Sequence, residues 1–257
     1  MRIKRFEPIQ TFYLLFSIAV IARVVCDINL NRIGIHAGDV FPIRKINNST
    51  APYSVYILYI EFALACIGAF ILNFQRIRTG AVFIVISYLM GLSQMFQNQK
   101  LLILIISVSI LITPLSRKSF WSIWFLRYQL ITIYFMTALH KIFFNFSNGN
   151  ALGKTFEYLI TVENNEFLKK LLVFFSQDIY LSFFSYLTLI LEIIIPFILI
   201  KKPKPGIILV FALHFSFNLL LKDILPFSIA MFSLSILFLI DLRPAFPERL
   251  DQQLNPK

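Results

Sequence analysis

Long apolar segments, separated by short clusters of charged and turn-forming residues, constrain this chain more than any other feature. A bilayer core offers no water to backbone groups, so an apolar run of about 20 residues that crosses it must be helical. Because 58% of the 257 residues are hydrophobic and only 14% are charged, we expect one domain over 1–257, an all-α polytopic transmembrane helical bundle. Eight spans are predicted, at about 8–28, 53–73, 80–96, 101–115, 120–140, 180–200, 206–221 and 225–241.

Positive charge is distributed unequally between the two sides of these spans. Arg23 and Arg127 lie inside the spans and Lys141 lies at the end of the fifth; of the other Lys and Arg residues, 13 fall on the side of the N-terminus and 8 on the other, where the loops are longer. The positive-inside rule therefore predicts a cell-membrane protein with both termini in the cytoplasm and outer loops at about 29–52 and 141–179.

The excess of basic residues also bears on partners. A net charge of +11 in a soluble chain would point to nucleic acid. Here the cations lie in short clusters between apolar spans, which predicts contact with membrane lipid head groups and no nucleic-acid partner.

Three segments between the spans have patterns of their own. Phe167–Phe175 has the pattern of an amphipathic helix that lies on the membrane interface or closes over the bundle. Asn145–Asn150 predicts a turn. Gln97–Lys100 predicts a tight polar hairpin between the third and fourth spans, which is either the lining of a site or a plain turn.

Arg127, Tyr134 and Lys141 are spaced seven residues apart in the fifth span, with Ala138 between the last two. Since an α-helix repeats every 3.6 residues, these side chains share one face. A charge at membrane depth costs several kcal/mol, which favours a functional role inside the bundle. The alternative is that both cations only extend to opposite membrane interfaces.

Two further spans carry polar residues in patterns of four. His214 and Asn218 share one face of the seventh span. Glu192 precedes Pro196 by four residues, so the proline removes the hydrogen bond to the carbonyl of Glu192 and predicts a kink beside a buried acid. Such a kink makes room for a ligand or water.

Lys141 is the candidate general base, because a lysine in a low-dielectric site gives up its proton more readily. His140 and His214 are candidates to hand protons on, and the alternative for each is a packing residue bonded to a backbone carbonyl. The spacing of the histidines fits no common zinc pattern, so no metal is predicted. Aromatic residues make up 16% of the chain, and around a buried lysine they suit a flat ring such as a quinone.

Two blocks of sequence resemble a known membrane family. The segments Gln129–Tyr134, Ala138–Lys141 and Gly149–Ala151 are similar to the signature of the horizontally transferred transmembrane (HTTM) domain. Leu213–Asn218 followed by Leu225–Phe232 resembles the histidine-bearing helix of the same family and its Phe-Ser-x-x-Met-Phe element. The HTTM domain forms the membrane part of vitamin K-dependent γ-glutamyl carboxylase.

The resemblance implies a chemistry and a set of residues. In the carboxylase, a lysine matching Lys141 is the base that deprotonates vitamin K hydroquinone, and a histidine matching His214 belongs to the same site. We therefore expect Lys141, His214 and His140 to be catalytic and a reduced quinone to be the cofactor. The residues expected to shape its binding site are Arg127, Tyr134, Glu192, Asn218 and Gln99.

Two departures qualify this expectation. Gln99 stands where the carboxylase has a histidine, and glutamine cannot titrate. The chain has 16 residues after the last predicted span, where the carboxylase has a large luminal domain, so by size it is similar to small bacterial members that mature a secreted peptide toxin. The alternatives are a non-catalytic partner in peptide maturation or export, and a small transporter, although no inverted repeat supports the latter.

Overall fold

A computed structural model of the chain describes residues 7–33, 55–74, 76–94, 98–112, 120–143, 146, 149–162, 166–220 and 224–240. No strand occurs among these residues, which confirms the predicted all-α class. Their α-helices are α1 Pro8–Ile33, α2 Val55–Asn73, α3 Ile77–Gln94, α4 Asn98–Ile112, α5 Phe120–Phe143, α6 Asn150–Val162, α7 Glu166–Phe175, α8 Asp178–Lys201, α9 Pro203–Leu220 and α10 Leu225–Ile236. A short 3₁₀ turn, Leu237–Leu239, follows α10.

Each of the eight predicted segments overlaps one of these helices, namely α1 to α5 and α8 to α10, and that all eight cross a membrane stays a prediction. The boundaries differ at two places that concern the site. Helix α1 continues to Ile33, and α4 already begins at Asn98, so Gln99 and Lys100 lie in the first turn of a helix and not in a hairpin. Gln97, and residues 34–52 of the predicted first outer loop with His36, lie outside the described residues.

Among the helices that the structure describes, three are long and apolar enough to cross a membrane, judged by length and composition. They are Pro8–Ile28 within α1, Tyr56–Asn73 within α2 and the whole of α8. Shorter apolar segments lie in α3, α4 and α10. Large apolar side chains such as Phe70 and Phe197 are more than half exposed on these helices, which is the surface expected of helices that face acyl chains.

The described residues divide into two compact units, and the boundary falls inside α5 after Leu126. In the first unit, Met1–Leu126 with Leu225–Lys257, α1 packs against α2 and α10, and α3 packs against α2 and α4. Helices α2 and α3 approach very closely at Gly80, where a Cβ atom would lie 2.6 Å from the backbone nitrogen of Leu72. A glycine at such a crossing lets two backbones meet.

The second unit, Arg127–Ile224, contains the remainder of α5 and the helices α6 to α9. Helix α8 packs against α9, and α6 packs against α7, α8 and α9. Helix α8 continues through Pro196, which has no N–H to donate to the carbonyl of Glu192. The turn from α8 to α9 is tight, because a Cβ atom on Gly206 would lie 2.9 Å from the Cα of Leu199.

Two helices lie within the predicted second outer loop. The amphipathic helix expected over Phe167–Phe175 is confirmed as α7, and none of its residues is buried. Its contact with a membrane interface stays a prediction. Helix α6 was not predicted; it begins after Gly149, whose φ of 75° is left-handed and whose N–H donates to the carbonyl of Phe146 at 3.1 Å.

Candidate proton-transfer site

Helices α5, α8 and α9 place four chemically active side chains inside the second unit, two of them on α5. On α5, Tyr134 and Ala138 are both 2% exposed, and Lys141 follows one turn later. On α8, Thr188, Glu192 and Ile195 continue a buried stripe with the spacing of an amphipathic helix. His214 lies one turn after the buried Val210 on α9.

Lys141 and Glu192 form an ion pair between α5 and α8. The Nζ atom of Lys141 lies 2.5 Å from Oε1 of Glu192, and the side chains are only 18% and 6% exposed. Because Glu192 is buried and Lys141 is only partly exposed, each charge is compensated mainly by the other. Glu192 is therefore the counter-ion of Lys141, whereas the sequence predicted it only in the wall of a binding site.

A second polar pair joins α5 to α9. The hydroxyl of Tyr134 and Nε2 of His214 are 3.1 Å apart, and both side chains are buried. The direction of this hydrogen bond depends on the tautomer of the imidazole. A phenol and an imidazole in direct contact can pass a proton between them, so the Tyr134–His214 pair is able to relay one.

Aromatic rings connect these two pairs. The Nζ atom of Lys141 lies 4.9 Å from the ring centre of Phe146 and 5.5 Å from that of Phe217. The ring of Phe217 is in turn 6.2 Å from the imidazole of His214, at an angle of 81°. Lys141 and His214 thus flank the same phenyl ring, and the ammonium group lies against aromatic faces that attract a cation.

The arrangement can take up one proton. In a medium of low dielectric, an ammonium and a carboxylate in contact can become neutral by moving the proton from Nζ of Lys141 to Oε1 of Glu192. The amine that results is a base, and after it removes a proton from a bound acid, Lys141 is an ammonium again and Glu192 holds the extra proton. Burial disfavours the charged form of Lys141, whereas the neighbouring carboxylate of Glu192 stabilises it, so the two effects oppose each other.

The other residues predicted for this site lie at different places. Arg127 is buried on the same face of α5, as its spacing from Tyr134 predicts, whereas His140 is exposed and Asn218 is half-buried on α9. Gln99 belongs to the first unit, where its side-chain oxygen accepts a hydrogen bond of 2.7 Å from Arg23. The roles assigned to these four residues stay predictions.

Two buried charges in the first unit, Asp27 and Lys100, were not predicted from the sequence. Asp27 pairs with Arg23 one turn earlier in α1, and Lys100 contacts Asp27 at 2.8 Å and Glu61 at 3.3 Å. The four-residue spacing of Arg23 and Asp27 in an apolar run was the signal for the first. Lys100 carries no such signal, because its partners come from α1 and α2 and a position beside a turn is typical of an interfacial lysine.

Comparisons with known proteins provide no relative. No protein-family model, curated protein or solved structure matches the chain. Within the described ranges, no group of three or more His, Cys, Asp or Glu side chains could hold a metal ion. The site is therefore interpreted from its own residues.

Proposed function

We propose that this chain is an integral membrane protein of the HTTM family that removes a proton from a bound quinol-like molecule during the maturation of a secreted peptide. The ion pair between Lys141 and Glu192 carries this proposal. It joins an amine, which can act as a base, to a carboxylate that can accept the proton of the ammonium group, and both side chains are largely buried. Ionisable residues in this setting are expensive to bury and generally serve function.

Each residue of the site has a defined task in this proposal. Lys141 takes the proton from the bound hydroxyl group, and Glu192 accepts the proton that Lys141 first releases. The Tyr134–His214 pair holds α5 to α9 and relays a proton beside the ring of Phe217. A reduced quinone, when bound, supplies the acidic aromatic hydroxyl group.

The residues present fit a flat aromatic molecule of this kind. Phe146 and Phe217 both lie beside Nζ of Lys141, so a ring that stacks on either one brings its hydroxyl group toward the amine. Ligand sites of this type combine apolar and aromatic walls with a small number of polar groups.

The affinity of the purified protein for a prenylated naphthohydroquinone tests this fit. The measurement is made in lipid nanodiscs under anaerobic, reducing conditions. We expect Phe217→Ala to weaken binding about 5- to 150-fold, since the loss of a buried aromatic contact with the ligand costs about 1–3 kcal/mol. Phe215→Ala on the same helix is the control, because that ring is 52% exposed. Failure of the unaltered protein to bind the probe contradicts the proposal.

Eight spans with both termini in the cytoplasm, in a cell membrane, are part of the same proposal. The charge bias along the sequence supports it, and it directs Lys141 to the outer end of α5, where secreted substrates pass. Reporter fusions after residues 48, 160 and 257 should report outside, outside and inside. An inside signal at residue 160 would move Lys141 to the cytoplasmic face and exclude a secreted substrate.

A non-catalytic partner in peptide maturation is the second candidate, and the same ion pair favours it. An ammonium and a carboxylate that neutralise each other also hold α5 against α8. In that case Lys141→Arg, which keeps the charge, preserves maturation, whereas a base at this position cannot be replaced by arginine because a guanidinium does not release its proton.

A further inference from the structure

A second buried ion cluster lies in the first unit, independent of the proposed quinol site. Its four charged side chains are Arg23 and Asp27 of α1, Glu61 of α2 and Lys100 of α4, and each is at most 3% exposed. Two cations and two carboxylates make the cluster neutral when all four are ionised. Full burial of four charges costs several kcal/mol for each ion unless the partners are well placed.

The two carboxylates are compensated very unequally. Asp27 forms an ion pair with Arg23 through one oxygen and lies 2.8 Å from Nζ of Lys100 through the other. Among the described residues, the one ion-pair contact of Glu61 runs from Oε1 to the same Nζ atom at 3.3 Å. Its Oε2 atom is buried and has no hydrogen-bond partner within the part of the chain that the structure describes. Glu61 is thus the weakly compensated acid of the cluster.

Two residues of α3, Ser87 and Gly91, lie directly against Glu61. A Cβ atom on Gly91 of α3 would lie 2.6 Å from Cδ of Glu61, so any other residue there would displace the carboxyl group. The hydroxyl of Ser87, one turn earlier on α3, donates to the backbone carbonyl of Glu61 at 2.8 Å. Helix α3 therefore holds the backbone of Glu61 and leaves the space that its carboxyl group occupies.

Charged and titratable groups face Glu61 from every helix packed around it. They are Arg23 and Asp27 on α1, Tyr88 on α3 and Lys100 on α4. The hydroxyl of Tyr88 donates to the carbonyl of Val20 at 2.8 Å, so it is engaged with α1. The negative charge of Asp27 disfavours the ionised form of Glu61, and the positive charges of Arg23 and Lys100 favour it. Lys100, the closer cation, also contacts Asp27.

We propose that Glu61 is a proton-binding site, at which the buried carboxylate takes up a proton from water and releases it again. Protonation turns Oε2 from an unpaired charged atom into part of a neutral carboxyl group and changes the cluster from neutral to a single positive charge. Lys100 stabilises the ionised form. Glu61 lies six residues from the first residue of α2, about 9 Å along the helix axis, so the path to the helix end is short.

Infrared difference spectroscopy of the full chain in nanodiscs, compared between acidic and alkaline pH, tests this inference. Protonation of a buried carboxyl group produces a C=O stretching band that the ionised form lacks. We expect one band that depends on Glu61: it is present in the unaltered protein at acidic pH, is lost at alkaline pH, and is missing in Glu61→Gln, whereas the bands of other carboxyl groups such as Glu192 remain in that variant. The exposed Glu157→Gln is the matched control and should keep the band.

Lys100→Met gives a second and directional test. Removal of the nearest cation should raise the pH at which the band disappears, by an amount equal to at least about tenfold tighter proton binding. Lys100→Arg keeps the cation and should leave the profile close to that of the unaltered protein. A spectrum without a band that depends on Glu61, or a band that stays at every pH, overturns the inference and leaves the quinol site unaffected.

Discussion

Simultaneous removal of both partners of the Lys141–Glu192 ion pair should destabilise the protein less than the sum of the two single removals. At the separation of 2.5 Å, the gross attraction is about 7 kcal/mol for an effective dielectric constant of 20, and desolvation of both ions offsets most of it. A buried charge that loses its partner costs about 3–5 kcal/mol. We expect this cost for Lys141→Gln, which leaves the carboxylate of Glu192 buried.

The opposite substitution should cost less. Lys141 keeps 18% of its side chain exposed, so in Glu192→Gln the ammonium reaches water in part, and we expect a loss of about 2–3 kcal/mol. The double variant should lose less than the two single losses together, with a coupling energy of about 2–3 kcal/mol, because it leaves no isolated charge.

The assay is equilibrium unfolding in mixed micelles with an increasing fraction of denaturing detergent. Lys154→Gln and Glu157→Gln on α6 are matched controls, since both side chains are exposed, and each should change the free energy of unfolding by less than about 0.5 kcal/mol. Single effects that add within about 0.5 kcal/mol in the double variant would refute the ion pair as an energetic unit.

Two further substitutions test the packing that positions the site. Tyr134→Phe removes the hydroxyl group that is hydrogen-bonded to Nε2 of His214 and should cost about 1–3 kcal/mol in the same unfolding assay. Tyr128→Phe, on the exposed side of α5, is the control and should be neutral. Equal effects would contradict the buried hydrogen bond. Gly80→Ala should cost about 1–3 kcal/mol in the same assay, because the added Cβ atom meets backbone atoms of α2. Gly153→Ala is the control and should be neutral or stabilising, because its Cβ atom meets only the end of a leucine side chain at 3.3 Å. A tolerated Gly80→Ala would contradict the close crossing of α2 and α3.

The sequence predicted those parts of the fold that depend on local periodicity. Apolar runs located eight of the helices, and the spacing of Arg127, Tyr134 and Lys141 identified the buried face of α5. Helix α6 escaped prediction because its sequence mixes charged residues such as Lys154 with apolar ones and follows a turn, so no long apolar run marks it.

The partners across helices could not be predicted in the same way. Nothing local to Lys141 indicates that Glu192, 51 residues away, is its counter-ion. The same holds for Lys100, which sequence reasoning assigned to an outer turn and which the structure buries between Asp27 and Glu61. Periodicity shows which side of a helix is buried, but the pairing of charges depends on how helices pack, and local periodicity does not report that packing.

The protonation state of a bound hydroquinone tests the central claim most directly. The near-ultraviolet spectrum of a prenylated naphthohydroquinone, bound anaerobically to the protein in nanodiscs, distinguishes the neutral molecule from its anion. We predict the anion in the unaltered protein and in the control Lys154→Arg, and the neutral form in Lys141→Arg, which keeps the positive charge but cannot release a proton. An equal amount of anion in Lys141→Arg would contradict the assignment of Lys141 as the base.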